Sequence, residues 1–166
     1  MVKNSDYFYE AFHQTKIIPT YEFSQLKENI RMVDDDDDVI IHVLTNDARN
    51  IFKQHYKSDT KQEIELEKLG KAFCNFVKHF SDKNPSVNIY ISMVLPIMGR
   101  IYEIETLNNV ITNCLKNHSK IQLIPNYNIS SGNLFPDGIH IDLKAVKIMI
   151  NNWKETIEQG IYLELE

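Results

Sequence analysis

The spacing of apolar residues along this chain changes several times, and each change marks an element. Residues 39–44, VIIHVL, are a short β-branched run with apolar side chains on both alternating faces, the pattern of a strand buried on both sides. The next six residues, TNDARN, supply turn and helix-starting chemistry. From Lys61 to Phe80, the residues Leu66, Leu69, Phe73, Phe76, Val77 and Phe80 recur at steps of three and four, which predicts a helix with one buried face. DKNP breaks it. Residues 86–95, SVNIYISMVL, return to a two-residue period. Val87, Ile89, Ile91, Met93 and Leu95 share one face, and Tyr90 and Val94 make the other partly apolar.

Ile104, Leu107, Val110, Ile111 and Leu115 mark a second helix, and KIQLIP (residues 120–125) a short strand. A last helix is predicted from Leu143 to Ile157, with Val146, Met149, Ile150 and Trp153 on its inner stripe and Asp142 placed to cap its first turn. Strands alternating with helices predict an α/β domain on a parallel sheet, with Val39, Ile41, Val43, Ile89, Ile91 and Met93 in its core. Ligand sites in such sheets form at the carboxyl ends of the strands. Two polar motifs, TND (45–47) and DGIH (137–140), sit on loops expected at that end.

Composition narrows the possibilities. A length of 166 residues suits one domain spanning 1–166, with 1–15 as an atypical N-terminal segment. The 43% hydrophobic and 25% charged content is that of a globular chain. A net charge of −5 with no Lys/Arg-dense block gives no electrostatic footprint for nucleic acid. The five aspartates at 34–38 lack the ligand spacing and turn glycine of a calcium loop and read as solvated. Cys74 and Cys114 read as buried free thiols of a reducing compartment. No apolar run approaches the roughly 18 residues of a membrane span, and the first residues lack the pattern of a signal peptide. A cytoplasmic location is the resulting expectation. His42 reads as a buried, hydrogen-bonded core histidine, and His13, His55, His79 and His118 as surface residues. Asp137 and His140 have no third ligand nearby, so a metal is not expected there.

TND followed some ninety residues later by DGIH, in this strand context, resembles the SGNH (GDSL-like) hydrolase family from its third conserved block to its last. The resemblance covers roughly residues 20–158. It implies a three-layer α/β/α sandwich with a parallel, flavodoxin-like sheet, serine-type ester hydrolysis, and no cofactor. By position, Asn46 matches the family's oxyanion asparagine, with Thr45 and Asp47 as structural neighbours. His140 matches the general base, and Asp137 the carboxylate that orients it. Three positions depart from the pattern. Leu44 stands where the family has a glycine two residues before the asparagine. Pro19, Thr20 and Tyr21 stand where the oxyanion glycine belongs. The Gly-Asp-Ser block is replaced by NSD, which leaves Ser5 as the candidate nucleophile without a strand to position it.

The family's first strand lies in mid-sheet beside the strand matched by residues 39–44. Its loss is expected to open that strand's edge unless residues 7–18 or another chain cover it. Three readings follow. One is an esterase or lipase-like hydrolase acting on a small acyl ester. Another is a non-catalytic SGNH-like module (a pseudoenzyme) with a protein or RNA partner. The last is a truncated or mobile-element-derived fragment.

Overall fold

The run at 39–44 becomes an inner strand of a parallel sheet. A computed structural model of the chain describes residues 15–18, 20–35, 37–54 and 58–165. In chain order the elements are β1 (Thr15–Ile17), α1 (Phe23–Asn29), β2 (Asp38–Ile41), α2 (Thr45–Lys53), α3 (Asp59–Lys83), β3 (Asn88–Ser92), α4 (Ile101–Leu115), β4 (Ile121–Ile124) and α5 (Leu143–Leu165). The four strands pair in the order β1-β2-β3-β4, all parallel. Lys16 stands opposite Val39, which in turn stands opposite Ile89.

A flavodoxin-like sheet has the order 2-1-3-4-5. Taking away the first strand leaves an order that runs one way, which is the order observed among the described residues. The edge expected to stand open on β2 is covered by residues 15–17, the end of the segment proposed for that task.

This order dictates the layers. Crossovers of one hand between strands that advance in one direction place their helices on one face of the sheet. Leu26 of α1, Ala48 of α2, Leu66, Phe73 and Val77 of α3, and Leu107 and Ile111 of α4 accordingly pack together against Val39, Ile41, Ile89 and Ile91. The opposite face, carrying Ile40, Tyr90 and Ile124, receives Ile150, Trp153 and Ile157 of α5. The predicted core residues Val39, Ile41, Val43, Ile89, Ile91 and Met93 are all buried.

Local chemistry sets the boundaries. The Ser58 hydroxyl accepts from the Lys61 amide at 3.3 Å to start α3, and Asn84 with Pro85 ends it. The Asp142 carboxylate accepts from the Ala145 amide at 2.8 Å, as its position before the last helix predicted. Gly70 allows α3 to lie close on α4, since a Cβ there would meet Val110 Cγ1 at 2.8 Å. The two cysteines are free, but only Cys74 is buried; Cys114 is half-buried and packs against the same core. No helix among the described residues is long and apolar enough to cross a membrane.

Candidate functional site

The loop after β2 keeps a backbone shape that normally calls for glycine. Leu44 has φ = 89°, the one non-glycine residue among those described with positive φ. An L-residue in this region costs on the order of 1–3 kcal/mol and persists where its surroundings hold it. Here the holding is visible: the Leu44 side chain is fully buried in the core, and its carbonyl accepts the Ala48 amide at 2.9 Å as the N-cap of α2. Leu44 thus takes a left-handed conformation that glycine adopts readily, and Thr45, Asn46 and Asp47 form the first turn of α2.

Asp47 anchors the first turn of α2. Its two carboxylate oxygens accept from the Phe23 amide at 3.3 and 3.1 Å, tying the start of α2 to the segment that follows β1. Burial pushes its carboxyl above the usual range.

The second half of the site is a short closed loop. Leu134 and Ile141 form an antiparallel bridge, and the Phe135 amide donates to the His140 carbonyl at 2.8 Å. Gly138 turns the tip with φ = 74°, and its carbonyl accepts the Met98 amide at 2.9 Å. Within this loop Asp137 Oδ1 accepts the amides of Ile139 and His140 at 2.9 and 3.0 Å, and Oδ2 lies 2.6 Å from His140 Nδ1. The imidazole, followed by the two amides, holds the Asp137 carboxyl down at about 2. The pair is solvated, with 73% of the His140 side chain exposed.

The two halves meet. Thr20, Tyr21, His42, Thr45, Asn46 and His140 line one groove of about 320 Å³ at the carboxyl ends of β1 and β2. Its apolar wall comes from Val43, Leu95, Ile139, Ile141, Val146 and Met149. Thr20 and Tyr21, from the segment that follows β1, thus border this space as well. Ser5, with His13 and His55, lies outside the described residues. Among those described, His79 is exposed and His118 pairs with Asp82 at 3.2 Å. No group of three or more potential metal ligands is found among them.

His42 departs from expectation. It is hydrogen-bonded, Nδ1 lying 2.9 Å from Ser92 Oγ, but its ring is only half-buried because it borders the groove. Ser92 Oγ also accepts from Trp153 Nε1 at 2.8 Å and Asn126 Nδ2 at 3.1 Å. Asn152 Nδ2 in turn donates to Asn126 Oδ1 at 3.0 Å and to Asn128 Oδ1 at 2.8 Å. Of these partners the sequence singled out only Trp153, as a residue of the inner stripe of the last helix. The available signal was that His42 and Ser92 each interrupt an apolar strand on the face that carries Ile40 and Tyr90.

Burial pushes the His42 imidazole down from 6.5 to about 4, against a smaller opposing pull from the Ser92 backbone. Between those values the unfolded chain carries a proton on this ring that the folded chain does not. Stability is therefore complete above about pH 6.5 and falls as the pH falls towards 4. Water in the groove screens part of the effect, leaving a loss of about 2 kcal/mol. Asp47, with its raised pKa, works in the opposite sense at the acid end of this window. Urea melts at about pH 7 and pH 4.5 should show the loss in the wild type, and His42→Gln should remove most of it.

No family model and no curated protein matches this chain. Among solved structures it is similar to one described as "a putative platelet activating factor from Streptococcus pneumonia", at 15% identity, covering 82% of this chain and 68% of that one, with a TM-score of 0.53. The likeness is one of fold. It supports the α/β/α layering and leaves the chemistry of the groove to be argued from its own residues.

Proposed function

We propose that this groove is an acyl-ester site of the SGNH hydrolase type, on a domain of esterase ancestry that binds an ester or its acid product and turns it over weakly or not at all. One observation carries the reading: Asn46 and His140, ninety-four positions apart, border the same groove, with Asp137 hydrogen-bonded to the histidine.

Each group has a role that suits its chemistry. Acyl transfer builds negative charge on a carbonyl oxygen, and the Asn46 amide borders the groove as a donor for it. His140, steered through Nδ1 by Asp137, takes a proton from the attacking group and returns it to the leaving alcohol. The apolar wall opposite accepts an acyl chain. The weak turnover follows from the nucleophile: no serine among the described residues borders the groove. A histidine without a positioned serine activates only water, and removing a triad nucleophile costs orders of magnitude. That same lack favours, as a second reading, a non-catalytic SGNH-like binding module.

The test is turnover of a p-nitrophenyl acyl ester by the wild type, Ser5→Ala and His140→Ala. A rate close to the blank is expected, with any residue of it lost in His140→Ala. Robust turnover abolished by both substitutions would make the protein a working serine esterase with Ser5 as nucleophile. A residual rate indifferent to His140→Ala in folded protein would remove this site from the reaction.

A further inference from the structure

The groove contains a polar group that the hydrolase pattern does not use, and the hydrogen bonds behind it determine what it offers. The Asn126 amide is oriented by the Met93 carbonyl, which can only accept and lies 2.9 Å from Asn126 Nδ2. The second hydrogen of that NH₂ goes to Ser92 Oγ. The Trp153 indole, a donor only, takes the other lone pair of Ser92. With both lone pairs filled, the Ser92 hydroxyl has one way to meet His42 Nδ1, which is to donate its own proton. His42 Nδ1 therefore accepts, and the ring proton sits on Nε2. Nε2 bonds no described group. It is not buried either, since the one buried side-chain polar atom without a partner among the described residues is Ser81 Oγ. The ring meets water where it borders the groove.

We infer that His42 presents a fixed, neutral Nε2–H donor to the groove and that, together with the Asn46 amide, it binds a carbonyl or carboxylate oxygen of an acyl ligand. This rests on the acyl-ester reading of the groove and adds a binding residue to it. The inference also accounts for a departure in the sequence. In place of the family's oxyanion glycine stands the Pro19-Thr20-Tyr21 segment, where the Tyr21 amide donates to Gln25 Oε1 at 2.9 Å, and His42 offers a donor to the same groove from the neighbouring strand. The relay makes this donor dependable: the Met93 carbonyl, Asn126, Trp153 and Ser92 together hold one tautomer, and the ring stays uncharged through the neutral pH range.

Two measurements on the whole chain test it. Long-range proton–nitrogen NMR of histidine-labelled protein should show His42 as the Nε2–H tautomer at neutral pH; an Nδ1–H tautomer would overturn the inference without touching the acyl-ester reading. Titration with hexanoate should show binding that weakens about tenfold or more in His42→Phe and in Asn46→Ala. It should be largely retained in His42→Gln, whose amide nitrogen reaches a similar place. Binding weakened by Asn46→Ala but unchanged in His42→Phe, or not restored in His42→Gln, would overturn the role of His42 and leave the site standing. Absence of hexanoate binding, or binding indifferent to Asn46, His42 and His140 alike, would overturn both.

Discussion

Trp153→Ala should lower the stability of the folded chain by about 3–5 kcal/mol, the range for truncating a buried Trp or Phe. Trp153 is 4% exposed and is the largest side chain that α5 sets against Ile40, Tyr90 and Ile124. Among the described helices, α5 is the one that packs on this face, so no neighbouring helix is positioned to close the space left behind. The substitution also takes a donor away from buried Ser92, leaving an acceptor unsatisfied. At roughly 2–4 °C per kcal/mol for a chain of this size, the melting temperature should drop by about 6–20 °C. Trp153→Phe separates the contributions, because it keeps most of the packing and loses the hydrogen bond. A loss below about 1 kcal/mol for Trp153→Ala would show that α5 does not cover this face.

Phe73→Ala should cost a similar amount, about 3–5 kcal/mol, from the other side of the sheet. Phe73 is 1% exposed on the inner stripe of α3, and its ring meets Phe23 edge-on at 5.9 Å. Phe23 also packs edge-on against Phe76 at 5.6 Å, and its amide is held by Asp47. Removing the Phe73 ring therefore loosens α1 against α3 and, through Phe23, the anchor of the first turn of α2, which carries Asn46. Denaturant melts should show a lower midpoint with an unchanged slope, since the surface exposed on unfolding is nearly the same. A shift equivalent to less than about 1 kcal/mol would mean that α1 and α3 do not share a core. Together the two substitutions probe both faces of one sheet, and substantial losses from both are what a three-layer arrangement requires.

Much of this molecule follows from the order of its residues alone. A two-residue period at 86–95 and steps of three and four at 61–80 record which side of each element faces away from water. Burial of one face is decided by repeating local geometry. The same holds for the Asp142 cap, whose partner amide is three residues away, and for the Asp137–His140 hydrogen bond, closed within one turn across Gly138. The β1 strand was less legible because three residues are too few to show a period.

What depended on tertiary structure was every feature joining distant segments. Leu44 bears a positive φ because the core grips its side chain, and nothing in VLTND announces that. Asp47 reaches Phe23 across twenty-four positions, and Asn46 meets His140 across ninety-four. His42 could be read as a core histidine from its strand, but whether its ring closed against protein or opened onto a groove depended on the loops beyond β1 and β3 and on α5. Its tautomer was settled by Ser92, Asn126 and Trp153, drawn from β3, the loop after β4 and α5. Periodicity records which residues leave water; which donor meets which acceptor is decided only when the chain brings them together.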